Sequence, residues 1–538
     1  MNLYRAFATV GGFTMLSRLL GFVRDILVAG LLGTGPVADA FVAAFRFPNL
    51  FRRIFGEGAF NAAFIPLFAK KLEGEGGDAA RKFAEEALAV LLFALLVFTA
   101  LAELAMPWLL VVMAPGFLED PSKFDLTVAL TRIAFPYLLC MSLVALLSGV
   151  LNALNRFAAA AAAPVLLNIV LIAAMSLAWS LGFQNQPNAG YLLALGVAIA
   201  GALQLALLAI AAQRAGMGLT LRRPRITPDV KRFFKLGVPG VIAGGVTQIN
   251  IVVGTMIASM QAGAVAYLYY ADRLYQLPLG IIGIAIGVVL LPDISRLLRA
   301  GEYDAVSDSQ NRSLEFALLL TLPAAVALFV VPEPIIRVLF ERGAFTADDS
   351  AATALGLSAF ALGLPAFVLI KIFSPAYFAR EDTRTPMIYA AVGMVVNVIG
   401  SLLLFFWLRS IEWPPHVGIA AASALAGWVN AGMLWSTLRV RGHFDLDRQT
   451  SRAVPRIILS SLAMGGVLWV GATVATPWFA PEAGFFAQFT ALAGLVMGGL
   501  IVFALAVELS GAADLRGMAR TLKQPRRATE GHIPEIKD

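Results

Sequence analysis

Cysteine is almost missing. The 538-residue chain has one, Cys140, set inside an apolar run, which excludes a disulfide framework and a cysteine-ligated metal site. Histidine is scarce as well. His416, His443 and His532 are all read as loop or tail residues, His416 at the very edge of an apolar run, leaving no imidazole at membrane depth to act as base, ligand or proton relay. Charge is thin: 14% of residues, against about 25% in soluble domains. No strand-like segment leads into a GKS/T phosphate loop, and GIIGIAIG at 280–287 reads as small-residue helix packing. Nothing places a nucleophile beside a base. What is present is apolar surface, 59% hydrophobic residues with a mean hydropathy of +0.80, so the chain reads as an all-α polytopic membrane protein.

Spanning a bilayer takes about 20 apolar residues. Reading runs between polar breaks gives fourteen: 5–32, 37–69, 85–114, 126–153, 159–182, 190–213, 233–260, 264–295, 313–332, 350–375, 385–408, 416–438, 455–476 and 484–508. Arg18, Arg24 and Asp25 interrupt the first, so no cleavable leader is expected. Val37–Ala69 exceeds one bilayer thickness and must tilt, kink near Pro48 or protrude. Of 41 Lys and Arg, 29 fall on the side of the N-terminus and alternate loops, and only Lys123, Arg337, Arg342 and Arg409 on the other. By the positive-inside rule both termini are cytoplasmic.

Residues 231–440 repeat the first half at a nearly fixed offset of 226–229: Arg46 with Arg273, Pro66 with Pro292, Asp120 with Asp348, Pro136 with Pro365, Asn168 with Asn397. Six helices per half make the repeats parallel, with a binding site between them at the bilayer midplane. The expected organisation is an N-lobe (1–220), a basic linker or surface helix (221–232), a C-lobe (233–440), two further helices (441–510) and a basic tail (511–538).

Eight basic residues remain inside the predicted spans, among them Arg18, Arg24, Arg46, Arg52, Arg53 and Arg273. Arginine at the bilayer centre costs about 2.5–3.5 kcal/mol, so such residues face a cavity or a partner. In LFRRIFGEGAF (50–60), Arg53 and Glu57 are i,i+4 neighbours that can neutralise each other, whereas Arg52 points elsewhere. Arg18 and Asp25 share a face; Arg24 does not, so either the helix bends near Gly21 or both arginines line a wide cavity. Asp39 reads either as a cavity residue or as a cap on its own helix. Arg132 and Lys371 have membrane edges to which they can snorkel. RVLFERGAF (337–345) looks like LFRRIFGEGAF, but its offset of 285 does not fit the repeat; it falls in an outer loop, where its arginines are expected to be solvated. A cavity rich in arginine suits a phosphate-bearing anion, because the guanidinium fork matches phosphate oxygens and stays charged.

FTMLSRLLGFVRDILVAG, ADAFVAAFRFPNLFRRIFGEGAFNAAFIPLFA, APGF, NRFAAAAAAPVLLNI, YYADRLYQLPLGIIGIAIGVVLLP and REDTRTP, spread over the whole chain, resemble the MurJ (MviN) family of lipid II flippases in the MOP (MATE-like) exporter superfamily. The resemblance implies two six-helix lobes around a cationic cavity, working by alternating access. Its implied substrate is undecaprenyl-pyrophosphate bearing the GlcNAc-MurNAc-pentapeptide, and the last two helices would flank a groove for the lipid tail. Cavity positions of the family match Arg18, Arg24, Asp25, Asp39, Arg52, Glu57 and Arg273. Some members bind sodium through acidic and Asn side chains of the seventh and eleventh helices. Here these helices offer Gln248, Asn250 and Asn397 with no acid inside the seventh, which favours the membrane potential over sodium as the drive. The expectation is a monomeric inner-membrane transporter without cofactor or nucleic-acid partner, acting beside the cell-wall synthesis machinery. A multidrug or O-antigen exporter would lack the two extra helices, an enzyme acting on polyprenyl phosphates would need a carboxylate cluster, and a scaffold would not need buried arginines.

Overall fold

The computed structural model describes residues 3–54 and 63–513, and among these there is no strand. The first half forms α1 (Leu3–Leu32), α2 (Pro36–Arg52), α3 (Ile65–Gly74), α4 (Gly77–Met113), α5 (Pro121–Ala134), α6 (Tyr137–Ala153), α7 (Ala158–Ser180) and α8 (Pro187–Arg214). Its counterpart forms α9 (Pro228–Ala258), α10 (Ala264–Ala300), α11 (Tyr303–Val330), α12 (Pro332–Phe340), α13 (Ala347–Phe378), α14 (Arg384–Ser410) and α15 (His416–Val440). The pair α16 (Arg448–Val474) and α17 (Gly484–Ser510) completes the described residues' helices.

Among the described residues ten helical segments are long and apolar enough to cross a membrane, with α5 and α6 counting as one, and they coincide with ten of the fourteen predicted runs. The other four runs fall on α1, on α2 with α3, on α9 and on α10. Of these, α1, α2 and α10 are the helices that carry the intramembrane charges Arg24, Asp25, Asp39, Arg46, Asp272 and Arg273. In the long second run α2 continues through Pro48 to Arg52 and α3 begins at Ile65, with residues 55–62 between them outside the described residues.

The chain divides into two compact units. Unit 1 comprises Met1–Leu277, Pro332–Ala366 and Met387–Asn430; unit 2 comprises Pro278–Val331, Phe367–Pro386 and Ala431–Asp538. This division cuts across the two sequence halves, because the repeats contact each other within unit 1.

Two aromatic clusters anchor unit 1. Phe64 stacks on Phe68 and Phe83 and meets Phe233 edge-on, tying α3, α4 and α9 together. Phe47, Phe51, Phe98 and Phe135 pack around Met106 and Leu110. The basic connection between the halves is not a surface helix over its first part. Residues 217–227 form no helix, and α9 starts at Pro228 under a Thr227 cap. Glu85 of α4 accepts hydrogen bonds from the Thr220 amide (3.0 Å), the Thr220 hydroxyl (2.7 Å) and Arg222 Nε (2.5 Å), and Glu86 accepts one from Thr227. These acids hold the linker against the helix.

RVLFERGAF differs from expectation. Its first half ends helix α12, Arg337 pairs with Glu333 and Glu341, and Phe340 and Phe345 are fully buried against Tyr270. His416 is no loop residue either. It is the first residue of α15, fully buried, and its ring nitrogens meet Gln261 Nε2 (3.1 Å) and the Ala352 carbonyl (2.8 Å). Both ring nitrogens are thus hydrogen-bonded, as the neutral tautomer with Nε2 protonated permits.

Unit 2 packs α16 against α11 and α17. Gly499 and Gly465 admit Leu468 and Val326 at distances a Cβ would block. At its polar end Asp447 caps α16 through the Thr450 amide and pairs with Arg312, which also pairs with Glu315 (2.8 Å). In the α13–α14 connection Asp382 accepts hydrogen bonds from the Thr385 hydroxyl (2.6 Å), the Thr385 amide (2.9 Å) and Arg441 (2.8 Å). Those bonds hold its carboxyl down to about 2, below the ordinary value near 3.9. A group depressed in the folded state contributes stability above its unfolded pKa and loses it as pH falls through the folded one. Wild type should therefore lose more thermal stability than Asp382→Asn between about pH 4 and 2, measured by melting the detergent-solubilised protein. Parallel curves would contradict this assignment.

Candidate functional site

The first charged cluster is centred on Asp25, which is 3% exposed within unit 1. One carboxylate oxygen accepts hydrogen bonds from Arg24 Nε (3.1 Å), Arg24 Nη2 (2.7 Å) and the Tyr269 hydroxyl (2.8 Å). Its other oxygen faces Arg273 Nε at 3.3 Å. Arg24 Nη1 donates to Asn168 Oδ1 (3.0 Å), whose amide nitrogen donates back to the Ser17 carbonyl (2.9 Å). The Arg273 guanidinium lies 4.8 Å from the Tyr269 ring centre, a cation–π contact. One carboxylate thus holds two guanidiniums from helices of different repeats, and the cluster keeps a net positive charge. Such a group can exchange Asp25 for a phosphate oxygen without stranding an arginine.

The repeat is visible in these contacts. Arg46 on α2 donates to Thr255 on α9 (3.1 Å), as Arg273 on α10 reaches Asp25 on α1. Asn168 on α7 bonds α1, and Asn397 on α14 bonds Asn250 on α9 (2.5 Å). The second repeat answers in kind but with neutral residues at several positions, so the charge is concentrated in the first.

Asp39 forms the second cluster. It is fully buried and caps not its own helix but the start of α10: its carboxylate accepts from the Gly263 amide (2.9 Å) and the Ala266 amide (2.9 Å). Gly35 holds the N-cap position of α2 without a side-chain bond. Lys123, expected in an outer loop, is buried; its ammonium reaches Asp39 at 2.5 Å and lies 4.1 Å from the Phe117 ring centre. An anion at a helix N-terminus is favoured by the exposed amides and the helix dipole, and a buried carboxylate requires such partners.

The remaining expected residues separate. Arg18 is exposed, makes no pair with Asp25, and lines a cleft of about 430 Å³ with Thr14, Ser17 and Asn152. Since α1 runs unbroken past Gly21 while Arg24 is buried, the two arginines face different surroundings. Arg52 is half-buried and donates to Asn49 (3.2 Å). Glu57 lies outside the described residues, and with it the expected Arg53 pair. Gln248 and Asn397 are buried, and Asn397 Oδ1 accepts from Ser401 and Ser423. Among the described residues no three His, Cys, Asp or Glu side chains gather as a metal site. Tyr269, Asn168, Thr255 and Lys123 were not singled out as functional. Tyr269 stands four residues before Arg273, one helical turn away, and Asn168 was already marked by the repeat.

The fold is similar to that of an inward-facing multidrug resistance MATE family transporter of the MOP superfamily, with a TM-score of 0.64 at 16% identity over 81% of this chain and 98% of that one. The protein therefore has the polytopic helical architecture of the MOP transporters. A structure of lipid II flippase MurJ in an inward closed conformation matches over 96% of this chain and 99% of its own, with a TM-score of 0.75 and 26% identity. A probable lipid II flippase MurJ of Rhizobium meliloti is 49% identical over 97% of both chains, and one of Rickettsia prowazekii 37% identical over 81% of this chain and 84% of its own. The profile of the family described as lipid II flippase MurJ matches residues 28–487. The chain belongs to the lipid II flippase MurJ family.

Proposed function

We propose that this protein is a lipid II flippase of the bacterial inner membrane. It moves the undecaprenyl-pyrophosphate-linked peptidoglycan precursor from the cytoplasmic to the periplasmic leaflet by alternating access. The observation that carries the reading is the buried Asp25 holding Arg24 and Arg273 from two repeats within one cluster, in a chain of the MurJ family. Both termini lie in the cytoplasm. The end at which α1 stops and α2 and α10 start then faces the periplasm.

The pyrophosphate displaces Asp25 from Arg24 and Arg273, while Arg18, exposed in its cleft, and Arg52 contribute further positive charge. Arginine suits each step because it keeps its proton in a low-dielectric site and offers two parallel donors. The polyprenyl chain stays in lipid beside α16 and α17. Translocation involves no covalent change in the substrate. Membrane potential acting on the charged cluster is the drive, with no sodium requirement, and the protein works as a monomer beside the cell-wall synthesis machinery.

The reading is tested by reconstitution into vesicles with fluorescent lipid II. Wild type should move label to the opposite leaflet, respond to an imposed potential and leave a labelled glycerophospholipid in place. Movement of both lipids alike, or of neither, contradicts it.

A further inference from the structure

Two glycines stand at matching places in the repeats. Gly116 lies in the turn after α4, and Gly343 in the turn after α12, 227 residues later. Each is followed closely by a buried phenylalanine, Phe117 and Phe345. Each touches the C-terminal end of the first helix of the other repeat, at positions that also correspond: Gly116 meets Ser259 after α9, and Gly343 meets Gly30 near the end of α1. The counterpart of RVLFERGAF is therefore MAPGF, not LFRRIFGEGAF.

Both contacts are backbone against backbone. A Cβ on Gly116 would lie 2.2 Å from the Ser259 carbonyl oxygen and 2.6 Å from the Met260 Cα. On Gly343 it would lie 2.3 Å from the Gly30 carbonyl oxygen. No rotamer change relieves either clash. Hydrogen bonds fix the same approach: the Gly116 amide donates to Ser259 Oγ (3.0 Å), and the Ala344 amide to the Gly30 carbonyl (2.8 Å). Asp39 and its α10 amides lie at this same end of the helices.

We infer that Gly116 and Gly343 are a symmetry-related pair of closure points that position the repeats against each other at this end. Both contacts form and part together in each transport cycle. The inference rests on the alternating-access reading. Its physical content is that any side chain at either glycine holds this end apart.

The test uses Thr34 and Asp349, whose side chains hydrogen-bond beside the Gly343 contact. A Thr34→Cys, Asp349→Cys pair in a Cys140→Ser background reports closure by disulfide yield in membranes. Gly116→Ala, which touches neither position, should lower that yield about tenfold or more, given the usual cost of overpacking. Gly343 has φ 59°, so Gly343→Asn is the matched variant, because Asn tolerates that backbone but carries a Cβ. It should lower the yield equally. Gly182→Asn, at φ 73° with open space around it, should leave the yield unchanged. Unchanged cross-linking in folded Gly116→Ala and Gly343→Asn overturns the inference. Lipid II left unmoved by wild type overturns the functional reading instead.

Discussion

Asp25→Ala should abolish lipid II movement and destabilise the protein by about 3–5 kcal/mol, the usual cost of breaking a buried ion pair by removing one partner. The carboxylate is the only acid within bonding distance of both Arg24 and Arg273 among the described residues. Its loss also leaves the Tyr269 hydroxyl without its acceptor. Asp25→Asn separates charge from shape. The amide oxygen still accepts from Arg24 and Tyr269, so the variant should fold, but two guanidiniums then repel each other without a counter-charge. Arg24→Lys should fail as well, since one ammonium cannot reproduce the planar fork whose three nitrogens span Asp25 and Asn168. Thermal melts in detergent read the stability, and vesicle transport the function. An Asp25→Ala protein with wild-type melting and transport would remove the cluster from the mechanism.

The second large effect is expected at Asp39. Its carboxylate is fully buried and takes one ammonium and two helix-terminal amides. Asp39→Asn turns an amide group toward a donor and leaves Lys123 buried without compensation. A loss of about 3–5 kcal/mol is expected, with weaker closure at the Thr34–Asp349 reporter. Lys123→Met alone should cost a similar amount, because it strands the acid. In the double variant neither charge remains, so the combined loss should fall short of the sum by about 1–3 kcal/mol. Additive losses in a double-mutant cycle would show that the two residues do not act as a pair.

The membrane class, ten of the spans and the repeat were legible in the sequence, because each is written in hydropathy or spacing along the chain. The identities of the charged residues were legible too, since arginine inside an apolar run is conspicuous. Their partners were not. Asp25 meets Arg273, and Asp39 meets Ala266, across the repeats at separations that helical periodicity does not address. Lys123 reads as an outer-loop residue because it falls between the apolar runs 85–114 and 126–153. Tertiary burial by Asp39 and Phe117 overrode that local signal. Sequence alone leaves Asp39 open between a cavity residue and a cap on its own helix, the nearest one along the chain, whereas the amides it satisfies belong to the start of α10. The repeat offset held the missing information: Asn168 with Asn397, and Arg46 with Arg273, mark the pairs that make equivalent contacts in the two halves.

One measurement bears most directly on the central claim that intramembrane arginines carry the pyrophosphate. Arg24→Ala, Arg52→Ala and Arg273→Ala are each expressed in cells depleted of their native flippase, and lipid II exposed on the outer leaflet is quantified by surface labelling. The account predicts that surface lipid II collapses and growth stops with each variant present in the membrane at wild-type levels. Normal labelling and growth with all three would contradict it.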